Sequence, residues 1–228
     1  MHAFHNTLLK NSFCFSILIS QLVCAVELFA QDSTASAGAP KRKNIIYILL
    51  DDLGKHFIER DGAKTPHINT IADAGLRFPN AYSMPACTPT RTTFLTGRYP
   101  YTHGWSSHWD VPRWGVAHFD PDHNPTWTRA LKEAGYRTFF AGKWHLGPTE
   151  EYWPENQGFE VNRGGWSRGG PYGPGKYFTP YGNPRLEDGP EGEHLPDRLA
   201  TEAMTFIETH KQEPFLAYVA FYSVHTPL

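Results

Sequence analysis

The chain has 228 residues, enough for one large domain or two small ones. Its 21 Lys and Arg nearly balance its 23 Asp and Glu, which excludes the strongly basic surface of a nucleic-acid or anionic-membrane binder. Hydrophobic residues at 40% and charged residues at 19% are ordinary for a soluble globular protein, and 20 Gly with 19 Pro indicate many loops.

Residues 1–30 read as a secretory signal peptide. Lys10 precedes the mostly apolar run from Phe13 to Ala25, which is short for a membrane span. Val23-Cys24-Ala25 and Ala35-Ser36-Ala37 both suit cleavage, so the cut falls between 25 and 37. An uncleaved anchor is the competing reading, and bulky Val23 argues against a lipoprotein cysteine at Cys24. Residues 31–42 are a small, polar linker, and 43–228 form the domain proper. This organisation predicts export to the periplasm or medium, with no stable membrane insertion once the signal is cut. Cleavage removes Cys14 and Cys24 and leaves Cys87 alone. A lone cysteine in an exported chain has no internal disulfide partner, so its presence needs another reason.

Asn44 to Leu50 is a continuous apolar run, the pattern of a strand buried on both faces of a parallel sheet. It ends in Asp51-Asp52-Leu53-Gly54. Thr65-Pro66 opens a helix with Ile68, Ile71 and Ala72 on one face and Gly75 as its stop. Leu76 to Tyr82 reads as a second strand. Pro89 to Thr96 is a short helix with Cys87 just ahead of it, where backbone N–H groups and the helix dipole favour an anion. Asn124-Pro125 opens a helix over Thr126 to Ala134, closed by Gly135. Tyr136 to Ala141 is a strand, followed by Gly142-Lys143-Trp144-His145. Residues 146–192 carry little periodicity and read as a long substrate-facing excursion. Leu195 to His210 is an amphipathic helix with Leu199, Ala203, Phe206 and Ile207 inward. Pro214 to Tyr222 is a last strand, followed by Ser223-Val224-His225.

This alternation predicts an α/β fold with a mostly parallel central sheet flanked by helices. Ligands of such sheets bind beyond the carboxyl ends of the strands. Asp51-Asp52, Lys143 with His145, and His225 each follow an apolar strand, which points to one shared site. Adjacent carboxylates repel unless a cation sits beside them, so Asp51-Asp52 is either a hard-cation site or a solvated turn. Lys143 and His145, two apart in an extended segment, point the same way and can hold a tetrahedral anion; a pair exposed on a loop is the competing reading. Arg91, one turn after Cys87, either contacts the group at 87 or joins a surface ion pair.

Taken together, these residues resemble the formylglycine-dependent sulfatase family of the alkaline-phosphatase-like superfamily. Cys87-Thr88-Pro89-Thr90-Arg91, with Phe94-Leu95-Thr96-Gly97 behind it, is similar to the family's Cys-x-Pro-x-Arg motif. Gly135 to His145 resembles a second family pattern, and Asp51-Asp52 and His225-Thr226-Pro227 fall in the family's order. Thr90 stands where serine is commoner and Ala86 where a slightly larger residue is usual. The resemblance covers residues 43–228. It implies an arylsulfatase-like sulfuric ester hydrolase acting on a sulfated glycan. Cys87 would be oxidised to formylglycine by a formylglycine-generating enzyme. By similarity, Asp51, Asp52 and the modified Cys87 bind a divalent metal, Ca²⁺ rather than Mg²⁺. Arg91 stabilises the hydroxylate at 87, Lys143 and His225 bind the sulfate, and His145 orients the nucleophile or accepts its proton. Trp105, Trp109, Trp114 and the tract Trp166 to Tyr181 either shape the substrate pocket or pack internally, and Arg113 and Arg168 are placed to meet further negative charge on a polymer.

Family members run to about twice this length, with a later Asp-Asn or Asp-His pair for the metal and a later lysine for the sulfate. The chain therefore reads as the N-terminal part of a sulfatase, inactive alone. The alternatives are a phosphodiesterase or phosphonate hydrolase of the same superfamily, and a non-catalytic fragment.

Overall fold

Four short segments among the described residues pair into one parallel sheet. They are β1 (Ile45–Leu49), β2 (Arg137–Gly142), β3 (Val161–Arg163) and β4 (Phe215–Ala220), in the order β1-β4-β2-β3. The computed structural model describes residues 42–59, 62–108 and 122–228. The signal-peptide reading therefore lies outside the described residues, as do Trp109, Arg113 and Trp114. Residues Lys43–Leu228 form one compact unit, and no helix among the described residues is long and apolar enough to cross a membrane.

Six α-helices among the described residues accompany the sheet: α1 (Lys55–Glu59), α2 (Pro66–Ala74), α3 (Cys87–Thr96), α4 (Pro100–His103), α5 (Trp127–Glu133) and α6 (Leu195–His210). Strand side chains alternate between faces. Phe139, Ala141, Ala217 and Val219 face α6, where Leu199, Ala203 and Phe206 are buried against them. Phe140, Leu216, Tyr218 and Ala220 face the other way and pack with Leu95 of α3 and Trp127 of α5. Full burial of each large apolar side chain contributes roughly 1.5–3 kcal/mol, so the two central strands anchor the fold. The expected α/β architecture with a parallel sheet and helices on both faces is what the chain forms.

Several element readings need correction. Leu76 to Tyr82 is not a strand; it has no partner strand and a turn at Pro79-Asn80, and Leu76 (84% exposed) and Tyr82 (88% exposed) face solvent. The first strand is not buried on both faces. β1 is an edge strand, and Ile46 and Ile48, in register with Ala217 and Val219, lie half exposed at the margin of the face that carries α6, which does not cover them. Helix α2 forms with Pro66 in its first turn, yet none of its residues is buried. Within 146–192 a short strand, β3, pairs beside β2, where the sequence suggested only an irregular excursion. Its three residues are too few for periodicity to reveal. Helix α3 begins at Cys87 itself, two residues earlier than Pro89 suggested, with Ala86 as an extended cap residue.

Candidate active site

Three strand ends meet at the carboxyl edge of the sheet, and backbone hydrogen bonds lock them together. Phe221 N–H donates to Leu49 O (2.9 Å), Lys143 N–H to Ala220 O (2.8 Å) and Asp51 N–H to Ser223 O (2.9 Å). Gly142 makes the β2–β4 contact possible. Its φ is +100°, and a Cβ there would stand 2.0 Å from Ala220 O. The segments carrying Asp51, Lys143 and His225 thus diverge from one small region. The N-terminus of α3 brings Cys87 to the same place, and Gly97 closes that helix in the left-handed conformation with its N–H on Thr93 O (2.8 Å).

Asp51 is the hub. Its carboxylate lies 3.6 Å from Cys87 Sγ and 3.6 Å from Arg91 Nη2, and the Lys143 ammonium is in direct contact with it. Lys143 Nζ also donates to Cys87 Sγ at 3.1 Å. Arg91 Nη1 donates to the Lys143 carbonyl at 2.5 Å, and Thr88 Oγ1 donates to the His145 carbonyl at 3.2 Å. Arg91 therefore reaches the site through Asp51 and the Lys143 backbone. Asp51, Arg91, Lys143 and His145 are all buried. Burial of both partners makes the loss of one charge costly, because the other is left unpaired.

The structure treats the two aspartates differently. Asp51 faces inward, while Asp52, at φ +57°, is exposed, with Oδ2 3.9 Å from His225 Nε2. Asp51, Cys87 and His225 can each offer a ligand atom within 4.8 Å of the others. This donor set suits a divalent cation in charge and size, so a metal fits here on the chemistry of the residues. Asp52 stands just outside that trio.

Lys143 and His145 do not lie in an extended segment. Gly142 at φ +100° and His145 at φ +63° turn the chain sharply, and both side chains are buried beside the site. His145 N–H donates to Trp166 O at 3.1 Å, and Gly169 leaves room for its ring. Burial, together with the positive charge of Lys143, lowers the His145 pKa from its ordinary 6.5 to about 2, so this imidazole is neutral. Burial raises the Cys87 thiol pKa, and Lys143 pulls it back down in part.

A cavity of about 520 Å³ opens onto the group. Asp51, Asp52, Cys87, Arg91 and His225 line it, and so does His108. Sequence reading missed His108, whose ring centroid is 5.3 Å from that of His145. It belongs to no motif and follows no strand, so nothing local marks it. Tyr172 packs edge-on to His225, with ring centroids 6.2 Å apart, and Arg168 Nη1 donates to the Tyr172 carbonyl (3.0 Å). Arg168 lies over the Trp166 ring at 4.9 Å. Trp105, by contrast, is buried in the core.

The family model described as Sulfatase matches residues 43–228. The chain belongs to the sulfatase family. The sulfatase-family chain is 32% identical over 226 residues to N-acetylgalactosamine-6-sulfatase of Canis lupus familiaris, an alignment covering 85% of the chain and 42% of that protein. It is 30% identical over 213 residues to arylsulfatase of Klebsiella aerogenes, covering 85% of the chain and 45% of that protein. The chain thus spans under half the length of these curated relatives. Among solved structures, Ps i-CgsB in complex with k-i-k-neocarrahexaose superposes with a TM-score of 0.67 at 31% identity, over 82% of the chain and 46% of that protein. Another, described as in complex with its substrate D-Glucosamine-2-N, 6-O-disulfate, gives a TM-score of 0.61 at 28% identity over 81% of the chain and 35% of its own length. The fold of this sulfatase-family chain is therefore alkaline-phosphatase-like.

Proposed function

We propose that this protein is a sulfuric ester hydrolase of the arylsulfatase type, exported from the cell and acting on a sulfated glycan. The observation that carries the proposal is the cluster at the sheet's carboxyl edge. Cys87 opens helix α3 with an ammonium 3.1 Å from its sulfur and a buried carboxylate 3.6 Å away. The names of the similar proteins, several of which refer to sulfated sugars, support the substrate class.

In this reading Cys87 is converted to formylglycine by a maturation enzyme, and the hydrated aldehyde supplies the nucleophilic hydroxyl. Asp51, Asp52 and the side chain at 87 would hold the divalent cation, Ca²⁺ in preference to Mg²⁺; when bound it lowers the pKa of a hydroxyl beside it. The remaining work falls to the protein's own side chains. Lys143 places a fixed positive charge beside the group at 87, where sulfate oxygens would accumulate negative charge, and His225 lines the cavity that opens there. Arg91 holds Asp51 and the Lys143 backbone in position. Of the two roles open to His145, burial and the neighbouring Lys143 charge favour orienting the group at 87 over accepting its proton, because they hold the imidazole neutral and weakly basic. Trp166, Arg168 and Tyr172 flank the site and suit a sugar ring carrying further negative charge.

The test is co-expression of the full-length protein with a formylglycine-generating enzyme, followed by mass spectrometry of the peptide containing residue 87. Inorganic sulfate released from an aryl sulfate and from a 6-sulfated hexosamine is then measured. Sulfate release that disappears in Cys87→Ala is the expected result. Phosphate release from a phosphodiester, with none from either sulfate ester, would replace this reading by the phosphodiesterase alternative.

A further inference from the structure

Before any oxidation, position 87 carries sulfur, and sulfur changes which metals the site selects. A thiolate, an imidazole and one carboxylate form a soft to borderline donor set, the kind that binds Zn²⁺ rather than Ca²⁺. Asp51, Cys87 and His225 bring these donor types within 4.8 Å of one another. The spacing also suits a small ion. Tetrahedral Zn²⁺ with ordinary Zn–S and Zn–O lengths places its sulfur and oxygen ligands about 3.5 Å apart. The Cys87 Sγ to Asp51 Oδ1 distance is 3.6 Å. Ca²⁺, with more and longer bonds to oxygen, gains little from such a trio.

The surroundings prepare His225 as a ligand. Its Nδ1 pairs with the Thr226 carbonyl at 2.5 Å, which assigns the proton to Nδ1 and leaves Nε2 with a lone pair. Lys143 and Arg91 oppose an added cation, since both now neutralise Asp51. Ionisation of the thiol adds one negative charge to the cluster and offsets part of that repulsion.

We propose that the unoxidised chain binds one Zn²⁺ through Cys87 Sγ, Asp51 and His225, and that oxidation of Cys87 abolishes this site. Binding forms the Zn–S bond as the S–H bond breaks, and the proton goes to solvent. No electrons change hands. The inference goes beyond the hydrolase reading, because it holds for the thiol form whether or not conversion ever follows. It gives the site two metal preferences, one for each chemical state of residue 87.

The experiment uses the whole chain carrying Cys14→Ser and Cys24→Ser, so that Cys87 is its one thiol, made without a maturation enzyme and with the thiol confirmed by mass spectrometry. Co²⁺, a coloured stand-in for Zn²⁺, is titrated in, and thiolate-to-cobalt charge-transfer absorption is followed. The band is expected to saturate at one equivalent, vanish when Zn²⁺ is added, and be missing in Cys87→Ser. Zn²⁺ affinity should fall more than about 100-fold in Cys87→Ser and His225→Ala, beyond what loss of an outer-shell partner costs. His210→Ala, at the far end of α6, should change nothing. Zn²⁺ should also slow alkylation of Cys87 by iodoacetamide in this parent chain, a readout independent of how the site variants fold. A charge-transfer band that survives in Cys87→Ser, no band at all, or alkylation indifferent to Zn²⁺ would each overturn the proposal.

Discussion

The ammonium of Lys143 bridges the sulfur of Cys87, 3.1 Å away, and the carboxylate of Asp51. A fully buried lysine is rare unless paired, and here both partners are site residues. In the hydrolase reading that charge meets the sulfate. Lys143→Ala should therefore lower kcat/KM for a sulfate ester by roughly 100- to 1,000-fold. Lys143→Arg should not restore it, because a planar guanidinium cannot occupy a space shaped for a compact ammonium. Steady-state kinetics on the matured full-length enzyme, with a circular dichroism spectrum to confirm folding, provides the check.

Acid should destabilise the fold through His145. Its folded-state pKa is lowered to about 2, whereas the unfolded chain titrates near the ordinary 6.5. Between those values the unfolded state binds one more proton than the folded state. Stability from this group is thus complete above pH 6.5 and declines as pH falls toward 2, by at most about 1.4 kcal/mol per pH unit. Urea unfolding across pH 4 to 7 should show this slope. His145→Gln should flatten it, and an unchanged slope in that variant would assign the acid sensitivity to other groups.

Gly142 is the hinge between β2 and the segment bearing Lys143. A side chain there meets both an unfavourable φ and the Ala220 carbonyl, which is backbone and cannot yield. Gly142→Ala should cost roughly 3 kcal/mol or more. Gly97→Ala has the strained φ but open space, so it should cost only about 1–2 kcal/mol. The difference between the two denaturation midpoints measures the steric part.

The uncovered face of β1 is a liability. Ile46 at 56% and Ile48 at 54% exposure flank a strand whose outer edge has no partner among the described residues. Open edges with apolar side chains promote association. Replacing both by Thr keeps the β-branched preference for strand while removing apolar surface. The double variant should bind less of a hydrophobic dye and scatter less light at equal concentration, with the far-ultraviolet spectrum preserved. Equal dye binding would direct attention to Leu76, Phe78 and Tyr82 instead.

Much of the candidate site was legible in one dimension because it sits at strand ends. Apolar runs ending in Asp51, Gly142 and Ala220 announce strands, and parallel strands present their carboxyl ends together. The Cys87-x-Pro-x-Arg91 spacing added the helix that completes the cluster. Reading failed where the signal was not local. His108 lies outside every motif, and the weak β3 strand is too short for a period. Leu76 to Tyr82 has strand composition, but composition cannot supply a neighbouring strand to pair with.

By itself, the sequence determined the α/β alternation, the amphipathic face of α6 and the residue types gathered at the strand ends. Those depend on side-chain periodicity and turn chemistry within a few residues. The tertiary structure alone decided that Asp51 faces inward while Asp52 turns out to solvent, and that Lys143 touches Cys87 across 56 positions of chain and Asp51 across 92. Such distances follow from strand order and from a sharp turn at Gly142, and both are set by contacts between segments far apart in the sequence, which no local pattern encodes.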